Sequence, residues 1–258
     1  MRGGGTPPPP PTKGPQKQTY AIGDIHGHLD LLRRAHDLIA ADQARHGAAQ
    51  VVHLGDLVDR GPDSRGVVEY LSEGIASGQD WIVLKGNHDR MFTLYLEDAP
   101  RHDPGLRPDL SWLHPRLGGA TTLASYGVAN PGDRPLAPVH AEARAAVPQA
   151  HLAFLDGLPT SHLRGEVLFV HAGIRPGIPL ADQTEDDLLW IRGNFLEDPR
   201  DHGPLVVHGH TALDVPTHYG NRVNLDSSAA YGGTLTAAVF EGRDVFVLTP
   251  KGRVPLRP

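Results

Sequence analysis

The chain has 258 residues, enough for one large domain with a substantial core, and carries 24 basic against 30 acidic side chains, a net charge of −6. That balance argues against a general nucleic-acid binder, which needs a basic face. The sequence contains no cysteine, which excludes disulfides, thiolate zinc sites and cysteine nucleophiles. No apolar run approaches the roughly 20 residues that span a bilayer, and no hydrophobic signal core opens the chain, so a soluble cytoplasmic protein with no membrane partner is expected.

Residues 1 to 18 stand apart. Gly3 to Gly5 and Pro7 to Pro11 suit neither helix nor strand, because proline lacks the amide hydrogen and glycine carries the largest ordering entropy. A disordered Gly/Pro-rich leader is the expectation. Thr19 to Ile22 reads as a short strand, after which Leu29, Leu32, Ala35, Leu38 and Ile39 recur at helical spacing until Gly47. A second strand, Val51 to Leu54, precedes the helix start Pro62-Asp63-Ser64, and a third, Trp81 to Leu84, runs into a helix through Met91, Phe92 and Tyr95. Prolines at 100, 104, 108, 115, 131, 135, 138 and 148 break residues 98–160 into short helices and loops, among them Gly118 to Tyr126 and Val139 to Ala146. This segment is expected to form a helical cap. Strands return at Val167 to Val170, Leu205 to Val207, Val215 to Tyr219, Arg222 to Leu225, Leu235 to Phe240 and Asp244 to Leu248, and residues 251–258 read as a C-terminal tail.

Strand-helix alternation in the first half implies a largely parallel sheet, whose carboxyl-end loops converge on one ligand-binding edge. Short loops between the last strands suggest antiparallel pairing. The predicted fold class is therefore α/β: a sandwich of two mixed β-sheets flanked by helices, with the catalytic domain over residues 19–250.

Five short motifs carry the chemistry: Gly23-Asp24-Ile25-His26-Gly27, Gly55-Asp56-Leu57-Val58-Asp59-Arg60-Gly61, Gly86-Asn87-His88-Asp89, Val170-His171-Ala172-Gly173 and His208-Gly209-His210-Thr211. Nearly all of them close an apolar strand. Together they offer two carboxylates, one amide and three imidazoles as metal ligands: Asp24, His26, Asp56, Asn87, His171 and His210. Such oxygen and imidazole donors suit hard divalent ions. Asp24 and His26 need a bend before both can face one ion, and Gly23 and Gly27 permit it.

The order of these motifs resembles the metallophosphoesterase (calcineurin-like) superfamily, and within it the bacterial and phage-type phosphoprotein phosphatases, over roughly residues 20 to 240. Two departures stand out. Asp89 occupies a position where the protein phosphatases usually carry glutamate, and Asn224-Leu225-Asp226-Ser227-Ser228 only approximates the bacterial pattern. Asp89 also resembles the related diadenosine-tetraphosphate hydrolases.

The expected cofactor is a pair of divalent ions, Mn2+ first, with Fe, Zn2+, Ni2+ and Mg2+ as alternatives. Asp56 would bridge them, and Asn87, His171 and His210 would complete the second. Two ions ~3.5 to 4 Å apart clamp the attacking and leaving oxygens of a phosphoryl displacement, with a shared hydroxide as nucleophile. Arg60 is placed to hold phosphate oxygens, Asn87 to contribute to that site, and Arg192 matches the second phosphate arginine of the phage-type relatives. His88 is the candidate general acid, with Asp59 to fix its ring and hold its proton. The resemblance implies that Asp59 favours monoesters, since the diadenosine hydrolases tend to lack it. Asp226 and Tyr231 lie in a loop that relatives bring near the metals.

Of the 16 histidines, His46, His102, His114, His140, His151, His162, His202 and His218 show no partner pattern and are expected to be exposed, whereas His28 and His53 remain open. His208, two residues before His210 on one strand, is expected just behind the ligands. The predicted activity is that of a serine/threonine protein phosphatase acting on phosphoproteins or small phosphoesters. A bis(5'-nucleosyl)-tetraphosphatase or another nucleotide anhydride or phosphodiester hydrolase is the alternative, and a non-catalytic phosphate-binding scaffold is a remote third.

Overall fold

The computed structural model describes residues 18–258. The leader expected over residues 1–18 therefore lies outside the described residues, apart from Gln18. The first sheet contains β1 (Thr19–Ile22), β2 (Val51–His53) and β3 (Trp81–Val83), all parallel. The second contains β4 (Ser161–Arg164), β5 (Val167–Val170), β6 (Leu205–His208), β7 (Thr217–His218) and β8 (Arg222–Asn224) in the order β4-β5-β6-β8-β7. Its centre, β5, β6 and β8, is parallel and its edges are antiparallel. The chain then returns to the first sheet with β9 (Ala237–Glu241), β10 (Asp244–Thr249) and β11 (Gly252–Leu256), giving β11-β10-β9-β1-β2-β3.

Strand alternation divides the core into layers. Ala21, Val52, Leu54, Val167, Phe169, Val207, Val223, Ala238 and Phe240 fill the space between the sheets. The opposite face of the first sheet, with Tyr20, Ile22, Val51 and Val239, packs against Leu32, Ala35 and Ile39 of α1 (Leu29–His46) and Val67, Val68 and Leu71 of α2 (Ser64–Ala76). The outer face of the second sheet, with Leu168, Val170 and Val206, meets Leu188 and Phe195. The predicted two-sheet sandwich flanked by helices is what forms.

Each of the first three motifs occupies the loop or helix start that follows a strand of the first sheet. α2 begins at the expected signal, where the Asp63 side chain accepts from Gly66 N. α3 (Asn87–Tyr95) starts inside the third motif, and Asp89 accepts from both Gly86 N and Leu57 N, tying that helix start to the second motif. Residues 98–160 contain α4 (Gly119–Ser125), α5 (Leu136–Ala146) and α6 (Gln149–Asp156). α4 packs on α2, and α6 packs on α2 and α3. Two further short helices, α7 (Glu185–Trp190) and α8 (Gly193–Leu196), follow the fourth motif.

Several features differ from expectation, among them the edge strand β4 over Ser161–Arg164, which no strand signal announced. The strand expected over Val215 to Tyr219 shrinks to Thr217–His218, because Pro216 has no amide hydrogen to give the ladder. The expected tail over residues 251–258 is largely β11, paired along β10 and anchored by Arg253 to Asp42 and Glu241. His151, expected to be exposed, is buried and bonded to the Tyr126 hydroxyl. Among the described residues no helix is long and apolar enough to cross a membrane.

Candidate metal centre and active site

All six expected ligands are buried, and the structure brings together those that follow β1, β2 and β3 of the first sheet with His171 and His210, which follow β5 and β6 of the second. Asn87 Oδ1 lies 2.9 Å from His171 Nε2 and 2.8 Å from His210 Nδ1. Asp56 stands between two groups: its Oδ1 is 3.3 Å from His171 Nε2 and its Oδ2 is 3.3 Å from His26 Nε2. One carboxylate thus offers an oxygen to each side. Asp24 accepts from His210 N at 2.8 Å through Oδ2, while its buried Oδ1 has no hydrogen-bond partner, and neither has His210 Nε2. A buried carboxylate oxygen and a buried ring nitrogen without partners need a cation or a donor.

Backbone contacts fix the imidazole tautomers. His26 Nδ1 donates to Val58 O and His171 Nδ1 donates to Leu54 O, which leaves both Nε2 lone pairs facing the carboxylates. Burial holds His26, His171 and His210 below the ordinary imidazole range, so they are neutral donors. Burial, together with the nearby Asp226 and Asp56, pushes the Asp24 carboxyl well up. Burial, and secondarily Asp56, also lifts Asp226, to about 6. For Asp56 burial acts upward too, while the positive charge that His171, His88 and His26 carry when protonated acts downward and leaves the carboxyl far down; a bound cation would take the place of that charge. Crowded buried carboxylates beside neutral imidazoles form a donor set that fits divalent ions: donor atoms of His26, Asp56 and His88 converge in one group and those of Asp56, His171 and His210 in another, with Asp24 joined to the second through His210 N and Asn87 through His171 and His210.

The turns that achieve this are strained. Seven non-glycine residues among those described have positive φ, and five belong to the motifs: His26, Asp56, Asp59, Arg60 and His210. Each left-handed residue costs roughly 1–2 kcal/mol, which the surrounding hydrogen bonds must offset. Such outliers cluster where function dictates geometry. The bend between Asp24 and the rest of its motif is carried by His26 and Gly27, whose φ is +67°. Gly23 contributes differently, since a Cβ there would meet Leu225 O at 2.5 Å.

His88 lies beside the ligands, with Nδ1 2.6 Å from Asp59 Oδ2. Arg60 donates from Nη1 to His26 Nε2 at 2.6 Å and from Nη2 to His88 Nε2 at 2.9 Å, and its guanidinium stands 5.3 Å from the Tyr231 ring centroid. Arg192 reaches the same cluster, donating to His210 O at 3.3 Å. Tyr231 is largely exposed.

His208 is a correction. It turns to the outer face of the second sheet, accepting from Arg222 Nη1 at 3.3 Å with the Phe195 ring 5.2 Å away. Strand alternation fails as a guide here because His210 has left the strand, with φ at +65°. Sequence reasoning also missed Trp112 and Thr122, which donate to the two oxygens of Asp59 at 2.8 and 2.7 Å. Both sit in a proline-broken stretch without a motif. The only local signal is that a tryptophan buried by its neighbours needs a partner for its N–H.

This architecture and ligand set define a metal-binding phosphoesterase. The chain belongs to the calcineurin-like phosphoesterase family, whose model matches residues 18–240. It is 23% identical over 238 residues to a bis(5'-nucleosyl)-tetraphosphatase PrpE [asymmetrical] of Bacillus thuringiensis, covering 84% of this chain and 87% of that protein. A crystal structure provisionally named as a diadenosine tetraphosphatase superposes with a TM-score of 0.60 at 25% identity, over 94% of this chain and 95% of the other. A cold-active protein-tyrosine phosphatase of a psychrophilic Shewanella shares the fold, with a TM-score of 0.59 at 17% identity over 93% and 80%.

Proposed function

We propose that this chain is a metal-dependent phosphomonoesterase of the serine/threonine phosphatase type, acting on phosphoproteins or small phosphate esters. The observation that supports this most is the buried His88–Asp59 pair beside the ligand cluster. An alkoxide such as that of serine leaves a phosphate ester only with a proton, and a placed acid is typically worth ~10² to 10⁴ in rate. Anhydride hydrolysis, whose leaving group is already a stable anion, has far less need of it.

Bound divalent ions, Mn2+ by preference, would supply charge neutralisation and an activated water. The chain's own side chains supply the remainder. Arg60 and Arg192 are permanently charged forks suited to two phosphate oxygens each. Asp59 fixes the Nδ1 side of His88, so that Nε2 can deliver a proton to the leaving oxygen.

A second reading, hydrolysis of dinucleoside polyphosphates, draws support from the names of the full-length relatives and from Asp89 in the third motif. Initial rates with Mn2+ on a phosphoserine peptide, p-nitrophenyl phosphate, bis-p-nitrophenyl phosphate and diadenosine tetraphosphate separate the two. Fastest turnover of the phosphomonoesters is expected. Fastest turnover of the tetraphosphate would replace the first reading with the second, and no turnover of any would leave only phosphate binding.

A further inference from the structure

We propose that Trp112 and Thr122, contributed by the segment between the third and fourth motifs, are positioning residues for the Asp59–His88 pair. The role of that pair rests on the phosphomonoesterase reading above. Asp59 and Arg60 are consecutive left-handed residues, with φ of +74° and +68°. A turn of this kind does not hold itself, and the bonds that hold it come from elsewhere in the chain. Asp59 N faces Thr122 Oγ1 at 2.8 Å and Ser64 Oγ at 3.1 Å, while Arg60 N donates to Gly118 O at 3.4 Å. Gly118 permits this approach: its φ is +88°, and a Cβ there would stand 2.3 Å from Arg60 N.

The carboxylate is held from both sides. Trp112 Nε1 donates at 2.8 Å to Asp59 Oδ2, the same oxygen that accepts from His88 Nδ1. Thr122 Oγ1 donates at 2.7 Å to Oδ1. Its single hydroxyl proton is thereby used, so it accepts from Asp59 N and from Ser64 Oγ, 3.0 Å away, and the polar groups of the Asp59, Ser64, Trp112 and Thr122 side chains are all satisfied. With one donor on each oxygen the carboxylate plane is fixed, and with it the axis along which His88 is held. Trp112 is in turn buried, stacked on Phe92 with centroids 5.4 Å apart and lying 4.7 Å from Tyr95. Neither residue touches the substrate site; both act through Asp59.

Trp112→Phe removes the N–H and keeps most of the packing, Thr122→Val removes the hydroxyl, and Thr122→Ser restores it. In the metal-loaded enzyme, kcat on phenyl phosphate should fall about tenfold in the first two variants, and at least about threefold more than kcat on p-nitrophenyl phosphate, whose leaving group needs less protonation. Thr122→Ser should recover most of the loss. A second readout needs no turnover. In the Mg2+-loaded protein the His88 Nδ1 proton should resonate far downfield, assigned by its loss in His88→Asn. It should shift or broaden in Trp112→Phe and Thr122→Val and return in Thr122→Ser. Equal losses on both esters, or an unmoved proton resonance in both variants, overturns the proposal. A wild-type enzyme without monoesterase activity would instead overturn the functional reading, while the resonance still decides whether these residues hold the pair.

Discussion

His88 Nδ1 and Asp59 Oδ2 lie 2.6 Å apart, and both side chains are almost wholly shielded from solvent. The contact orients the ring so that Nε2 faces the ligand cluster, where it accepts from Arg60 at 2.9 Å; to deliver a proton Nε2 must first take one up, with Arg60 turned from it to the phosphate. If His88 delivers the proton, its removal should hurt poor leaving groups most. His88→Asn is expected to reduce kcat on phenyl phosphate by about a hundredfold or more, with a much smaller loss on p-nitrophenyl phosphate. Steady-state rates on a series of aryl phosphates check this, and a uniform loss across the series would assign the acid elsewhere.

Asp56 is the single carboxylate that faces both imidazole groups, through Oδ2 to His26 and Oδ1 to His171. Asp56→Asn keeps the shape and removes the charge that two cations would share. Bound metal, measured by elemental analysis after dialysis, should fall from about two ions per chain to one or fewer, with activity down more than about a hundredfold. Retention of both ions would show that the bridge is made by another group.

The six candidate ligands stood out in the sequence because each follows or closes a short apolar strand, so that motif and local structure are read from the same few residues. The Asp24-to-His26 bend and the start of α3 at Asn87 are of this kind. Trp112 and Thr122 were not legible, since they reach Asp59 across 53 and 63 residues of chain and belong to no motif. His208 misled for the opposite reason: a local rule, strand alternation, was carried on to His210, two residues past the end of the strand. β11 escaped notice because its anchor, Arg253 on Asp42, spans 211 residues.

That anchor makes a stability prediction. Asp42 is buried and Arg253 half-buried, with Arg253 Nη2 2.6 Å from Asp42 Oδ2 and Tyr20 donating to the same oxygen at 2.8 Å. Removing Arg253 leaves the buried Asp42 charge with the Tyr20 hydroxyl as its nearest donor, so Arg253→Met should cost about 2 kcal/mol in a denaturant titration at pH 7. Burial raises the Asp42 carboxyl, but the bonds from Arg253 and Tyr20 outweigh it and leave a net depression. A carboxylate depressed in the folded state stabilises above its unfolded pKa and loses that contribution as pH falls through the folded value. The window therefore lies below about pH 4. Wild-type protein should lose stability there more steeply than Arg253→Met, and parallel curves would deny the pair its role.

A second pH effect has the same sign but a higher window. His53 is fully buried on the helix-facing side of the first sheet, where Nδ1 donates to Ile82 O at 3.2 Å and Nε2 accepts from His36 Nε2 at 3.1 Å. Burial, aided by the charge of His36, pushes it down to about 3. An imidazole depressed in the folded state binds its proton first in the unfolded chain, so stability rises with pH between about 3 and the unfolded value near 6.5 and then levels off. At pH 5 the loss relative to pH 7 is about 2 kcal/mol from this group alone. His53→Gln retains a donor and an acceptor but takes up no proton. Unfolding free energies at pH 5 and pH 7 should differ by about 2 kcal/mol less in His53→Gln than in the wild type. Equal differences in the two proteins would mean that His53 takes up its proton in the folded state, and that the shell of His36, Tyr70 and Trp81 around it opens to admit water.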